Sequence, residues 1–112
     1  MGQKARHLLG AGASALQSYW VERLSADLGP DFSLVEATNL AEIRLLVWAR
    51  RGWAEEIEDV ETASQATGIA GVVANKGGTM IKLRVRGTTL CFFSAHLAAH
   101  EGVKKIAKRN AD

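Results

Sequence analysis

With a single cysteine in 112 residues, no disulfide can close within the chain. Cys91 lies in the apolar run LCFF, where a small buried side chain is the expected role, and a reduced, intracellular setting fits. The one proline, Pro30, follows Gly29 and is placed to end an element. No run of about 18 apolar residues exists to cross a bilayer, and the start, MGQKARHLLGAGASAL, has too short and glycine-broken an apolar part for a signal peptide. The expectation is a soluble, cytoplasmic chain. A net charge of +2 is too small to point to nucleic acid, and no nucleic-acid partner is expected. What is present is an ordinary globular balance, 47% hydrophobic and 23% charged, in a length that allows one domain or a piece of one.

In chain order, residues 1–13 read as a flexible lead-in. Gly10-Ala11-Gly12-Ala13-Ser14-Ala15 has the outline of a dinucleotide-binding turn, which would make the chain a nucleotide-dependent oxidoreductase, but His7-Leu8-Leu9 is too short to be the buried strand that fingerprint needs. A helix follows from Ser14, with Leu16, Trp20, Leu24 and Leu28 as its apolar stripe and Gln17 three residues after Ser14 as in a capping box. Residues 32–37 and 43–49 read as an antiparallel strand pair with Asn39 at the turn. Ile43, Leu45 and Val47 share one face, yet Leu46 and Trp48 on the other are apolar too, so this strand is expected to be covered on both sides. Glu55, Glu56, Glu58 and Asp59 lack the glycine turn and spaced oxygens of a calcium loop and read as a solvated connection.

The chain is organised around residues 68–100, GIAGVVANKGGTMIKLRVRGTTLCFFSAHLAAH. Lys76 beside Gly77 and Gly78 can cradle an anion or simply cap a tight turn, and both readings fit the spacing; a Walker loop does not, because its lysine follows the glycines. Thr79, Ile81, Leu83 and Val85 alternate with Met80, Lys82, Arg84 and Arg86, which predicts a strand with one buried and one cationic face. Arg86-Gly87 makes a tight reversal into a strand over residues 88–94, whose apolar residues on both faces predict a more central place than its partner's. That strand turns polar at Ser94, Ala95 and His96, the end where layered α/β enzymes set catalytic groups. His96 and His100 stand four apart, but Leu97 holds the place of the glutamate that a helical zinc motif needs, so no metal ligand is assigned. Residues 101–112 form a basic amphipathic helix.

The pattern G-I-x-x-x-x-x-N-K-G-G, a strand pair ending S-A-H-L-A-A-H, and a helix ending K-R-N-A-D resembles the inositol polyphosphate 5-phosphatase family of the endonuclease/exonuclease/phosphatase superfamily. IRLLVWAR resembles the family's strand before the glycine turn, and the likeness runs from about Trp20 to Asp112. The resemblance implies an α/β fold, part of a four-layer DNase I-like sandwich with mostly antiparallel strands and flanking helices, and makes residues 14–112 a partial catalytic domain. It implies magnesium-dependent hydrolysis of the 5-phosphate of a phosphoinositide headgroup or soluble inositol phosphate, with peripheral contact to membranes. His96 and Asn75 would be catalytic, His96 touching the scissile phosphate; Lys76, His100, Arg109 and Asn110 would bind or support the substrate.

Several family motifs have no counterpart. The Gln-Glu pair that supplies a metal carboxylate, G-D-x-N, and P-x-W-x-D-R are missing, and Ala74 replaces a glycine usual before the asparagine. If Gln3-Lys4 takes the place of the Gln-Glu pair, a lysine stands where the cation needs a carboxylate. Magnesium thus belongs to the intact family domain, and its ligands are expected to be absent from this chain, which would be inactive and poorly folded by itself. The alternative is a non-catalytic phosphoinositide-binding or interaction module using Lys82, Arg84 and the terminal cations.

Overall fold

The computed structural model describes residues 15–67, 76–98 and 103–111. Helix α1 (Ala15–Leu28) is followed by β1 (Phe32–Leu40), β2 (Ile43–Arg50) and a single turn of helix, α2 (Arg51–Ala54). Then come β3 (Ile57–Ala66), β4 (Gly77–Val85), β5 (Thr88–His96) and helix α3 (Val103–Ala111). The strands form two antiparallel sheets, β1-β2 and β3-β4-β5. With α1 outside the first sheet, the described residues make a layered α/β arrangement with antiparallel strands, the fold class expected from the sequence.

The β1-β2 hairpin explains why β2 is apolar on both faces. Leu45, Val47 and Ala49 point to the second sheet and pack on its core. Arg44 and Trp48, of the opposite parity, meet α1: Arg44 Nη1 donates to Gln17 Oε1 at 2.7 Å, and Trp48 Nε1 donates to Ser25 Oγ at 3.0 Å. These bonds orient α1 differently from its leucine stripe. Gln17 and Val21 are its buried residues, whereas Leu16, Trp20 and Leu28 are exposed, because two polar anchors on β2 hold the neighbouring face inward. Ser14 lies outside the described residues.

The hairpin loop is Ala41-Glu42, two residues beyond the expected turn at Asn39, which pairs with Arg44 inside the ladder. Asn39 supports the turn with its side chain instead, Nδ2 donating to Ala41 O at 3.1 Å, while Ala41 takes the left-handed conformation at φ 51°. A bulge between Leu34 and Glu36 leaves Val35 outside the register and buries both Leu34 and Val35. Val35 thereby joins Ile81 and Leu83 of β4 as the core cluster between the sheets.

β4 behaves as its alternation predicts: Gly77, Thr79, Ile81 and Leu83 are buried and the residues between them are not. Arg86 (φ 47°) and Gly87 (φ 80°) form the two-residue turn into β5, the paired left-handed geometry that matches strand twist. Two expectations are corrected on either side of β4. The acidic run is a connection only in its first half: Glu55 and Glu56 turn from α2 into β3, whereas Glu58 and Asp59 sit in β3, an outer strand whose polar residues pair with β4 through backbone and charge. Among the described residues β5 is the other edge of this sheet and β4 its central strand, and Leu90, Cys91, Phe92 and Phe93 are exposed.

Cross-strand ions replace apolar burial along the β3-β4 edge. Lys82 Nζ pairs with Glu61 Oε2 at 2.8 Å, and Arg84 Nη2 reaches Glu58 at 2.8 Å and Asp59 at 2.9 Å. Asp59 (φ 53°) lies within a second bulge, between Glu58 and Glu61, which brings the two neighbouring carboxylates to one guanidinium. Beyond the turn, Arg86 lies 4.4 Å over the Trp53 ring, and its Nη2 donates to Glu56 Oε1 at 2.8 Å. That bond holds the Glu56 carboxyl below its ordinary value near 4.5. A lowered folded-state value means the contribution is present above the unfolded value and lost as pH falls through the folded one. Arg86→Ala is expected to move the Glu56 titration up toward 4.5, followed by carboxyl resonances against pH.

Candidate functional site

The open end of the β4-β5 hairpin is fixed by its other end. The two-residue turn sets the register, and the register puts Gly77 opposite His96. Gly77 has φ 144°, and a side-chain carbon there would stand 2.2 Å from Gln65 O and 2.8 Å from Leu40 Cδ2, so β3 and β1 close in on a position only glycine fits. Lys76 is held next to it by its own carbonyl, which accepts from Thr67 N at 2.9 Å. In this frame Lys76 Nζ lies 2.9 Å from His96 Nε2. Two residues 20 apart in sequence thus form a cationic, donor-rich corner at a sheet end, the chemistry that meets a phosphate.

Below the corner lies a hydroxyl cluster with no signal in the sequence. Thr79 Oγ1, almost fully buried, lies 2.8 Å from Ser64 Oγ on β3 and 3.1 Å from Thr38 Oγ1 on β1, and donates to Ala63 O at 3.3 Å. It joins both sheets directly under Gly77. Thr79→Val, similar in shape but without the hydroxyl, is expected to cost about 1–3 kcal/mol, read from the urea unfolding midpoint. Beside the corner is a cavity of about 350 Å³ lined in part by Thr67, Gly78, Met80, Phe93 and Leu97, within the size range of small-molecule sites. Thr67 Oγ1 is buried without a hydrogen-bond partner among the described residues.

Of the residues expected at the site, Lys76 and His96 are brought together. Arg109, half-buried on α3, donates from Nη1 to Ala98 O at 3.2 Å and so ties α3 to the segment leaving β5, which suits a supporting role. Asn110 is exposed on the same helix. Asn75 and His100 lie outside the described residues, as do Gly10 to Ser14 of the small-residue turn, whose Ala15 opens α1. Lys82 and Arg84, the cations of the binding-module alternative, lie beside carboxylates on β3, Lys82 paired with Glu61 and Arg84 with Glu58 and Asp59.

A divalent cation does not fit the described residues. Among them no group of three or more His, Cys, Asp or Glu could hold a metal. At the corner itself the Nε2 nitrogen faces an ammonium, a donor set suited to anions. No chemical step is therefore routed through a metal here.

The sequence matches Endonuclease/Exonuclease/phosphatase family 2 over residues 4–112. It is 31% identical over 110 residues to type II inositol polyphosphate 5-phosphatase 15 of Arabidopsis thaliana, covering 96% of this chain and 10% of that protein. It is 35% identical over 95 residues to type II inositol 1,4,5-trisphosphate 5-phosphatase of Mus musculus, covering 83% and 9%. Phosphatidylinositol 4,5-bisphosphate 5-phosphatase A of Homo sapiens is 37% identical over 92 residues, covering 81% and 9%. The chain thus spans about a tenth of the length of the curated relatives it matches. A solved structure with a TM-score of 0.65 and 24% identity covers 82% of this chain and 27% of its own. It is the inositol polyphosphate 5-phosphatase domain of SPsynaptojanin in complex with inositol (1,4)-bisphosphate and calcium ion, and it shares the fold described here. Matched across nearly its whole length, Lys76 and His96 included, the chain belongs to the endonuclease/exonuclease/phosphatase family 2.

Proposed function

We propose that this chain supplies one wall of a site that removes the 5-phosphate of phosphoinositides or inositol polyphosphates. The observation that carries the reading is the Lys76–His96 corner, two donor-bearing side chains held at a sheet end by a register that a crowded glycine protects. His96 contacts the scissile phosphate and Lys76 adds a point charge; Asn75 and His100 complete the floor, while Arg109 and Asn110 support it from α3. The relatives' names support the substrate class. Magnesium acts in the intact domain, with carboxylates that the described residues do not contribute. A cytoplasmic protein working at membrane surfaces fits α3, whose Val103 and Ile106 are exposed beside Lys104.

Two measurements test this. The purified chain with magnesium and inositol 1,4,5-trisphosphate is expected to release no phosphate above the buffer rate, and measurable release would overturn the missing-carboxylate part. Titration with inositol 1,4,5-trisphosphate, which carries the 5-phosphate, is expected to move the His96 and Lys76 side-chain resonances, with affinity reduced at least tenfold in His96→Ala. An unchanged affinity would remove His96 from the site.

A further inference from the structure

We propose that α3 is a docking helix for anionic lipid surfaces, laying Val103, Ile106 and Ala107 at the boundary of the acyl chains while Lys104 and Lys108 meet the headgroups. The inference deepens the proposed function by naming the surface that meets the membrane, and it rests on that reading for the lipid setting alone. Its contacts lie outside the Lys76–His96 corner.

Two independent observations point to α3. The first is an uncovered apolar face: Val103, Ile106, Ala107 and Ala111 share one side of the helix by their spacing, and all are exposed. Val103, at 83%, is the most exposed large apolar side chain among the described residues, and Ile106 is 48% exposed. The second is charge. The helix, VKKIAKRNA, contains no carboxylate, and Lys104 and Lys108, one turn apart, are exposed beside that face. Among the described side chains every other lysine and arginine meets a carboxylate, an oxygen acceptor, an aromatic ring or, for Lys76, the His96 ring. Lys104 and Lys108 have no such partner there, so they are open to an anion from outside.

One partner has to satisfy both features, and that requirement selects it. Nucleic acid would take up the cations and leave Val103 and Ile106 in water. A second copy packed on the apolar face would bring its own lysines toward the first pair, like charge against like. An anionic bilayer offers acyl chains below and negative headgroups at the level the lysine stems reach, and so meets both. Arg109 Nη1 donates to Ala98 O, which ties the helix to the segment leaving β5, so a docked α3 carries the strands with it.

The test floats the full chain on a density gradient with vesicles of equimolar phosphatidylcholine and phosphatidylserine, and separately with phosphatidylcholine alone; neither holds a phosphoinositide. The chain is expected to rise with the serine-containing vesicles only, and less as salt is added. Lys104→Gln with Lys108→Gln should weaken the partition at least about tenfold, each cation contributing about fivefold. Val103→Ser with Ile106→Ser should weaken it at least about tenfold as well. All of these side chains are exposed, so the fold should persist, which far-UV circular dichroism checks. Phe93→Thr, on the exposed β5 edge, should leave flotation unchanged. A chain that rises with neither vesicle overturns the proposal, and so do equal flotation with both, flotation that survives the α3 substitutions, and flotation lost in Phe93→Thr. A dimer that Val103→Ser with Ile106→Ser turns monomeric also overturns it, because a second copy would then cover the face. Inositol 1,4,5-trisphosphate separates the two ideas. A chain that floats while His96 ignores the trisphosphate keeps the docking helix and loses the phosphate role, and one that binds the trisphosphate without floating does the reverse.

Discussion

Gly77→Ala is expected to destabilise the chain by about 3–5 kcal/mol, combining backbone strain with overpacking against a neighbouring strand. The added carbon would meet Gln65 O at 2.2 Å and Leu40 Cδ2 at 2.8 Å, and the first of these is backbone that cannot swing aside. Two other glycines separate the contributions. Gly87 (φ 80°) has open space around its would-be side chain, so Gly87→Ala carries conformational strain alone, about 1 kcal/mol. Gly52, in α2, has neither a positive φ nor a neighbour within 4 Å, so Gly52→Ala is expected to be neutral or slightly stabilising. Urea unfolding followed by far-UV circular dichroism ranks the three. Because Gly77 faces His96, its substitution is also expected to abolish the Lys76–His96 contact, whereas Gly87→Ala and Gly52→Ala should keep it. Equal midpoints for Gly77→Ala and Gly87→Ala would show that β3 gives way and that the crowding is not real.

What the sequence discloses depends on whether burial writes a period into it. β4 is legible because Thr79, Ile81 and Leu83 alternate between core and exterior. β2 is legible as a strand covered on both sides because its two parities serve different layers, the core for Leu45 and Val47 and α1 for Trp48. β3 leaves no such trace: as an outer strand it is held by backbone pairing and by Glu58, Asp59 and Glu61 against Arg84 and Lys82, so its side chains read as a solvated loop. β5 misleads in the opposite sense, since Leu90 and Phe93 suggest a central strand while the described residues leave it at an edge. The leucine stripe of α1 misleads for a local reason, that Gln17 and Ser25 are tied to β2 by hydrogen bonds.

The site follows the same division. Asn-Lys-Gly-Gly and Ser-Ala-His are visible as motifs, and their resemblance to the 5-phosphatases names His96 and Lys76. Their contact is invisible until the Arg86-Gly87 turn fixes the register, because spacing in the chain says nothing of distance across a hairpin. Thr79, Ser64 and Thr38 are unreadable altogether: each is an ordinary strand threonine or serine until three strands converge.

Ile81→Ala is expected to cost about 2–5 kcal/mol, a large part of the roughly 5–15 kcal/mol that holds a whole domain of ordinary stability. Ile81 is fully buried, and with Val35 and Leu83 it forms the cluster that joins the two sheets among the described residues. Alanine there would leave a cavity at the contact itself. The walls are β-sheet on both sides, so collapse around the cavity is limited, which places the cost toward the upper end of the range. Ile81→Val, which removes one methyl group, is expected to cost about 0.5–1.5 kcal/mol. Phe93→Thr, at a residue 70% exposed, is expected to leave the unfolding midpoint nearly unchanged and to raise solubility by removing apolar edge surface. The sheets carry the site jointly, Thr38 from one and Thr79 from the other, so Ile81→Ala should also loosen the Lys76–His96 corner. A broad, non-cooperative unfolding curve for Ile81→Ala beside a sharp one for Ile81→Val is the expected outcome. Equal curves for the two would mean that the sheets are held together elsewhere.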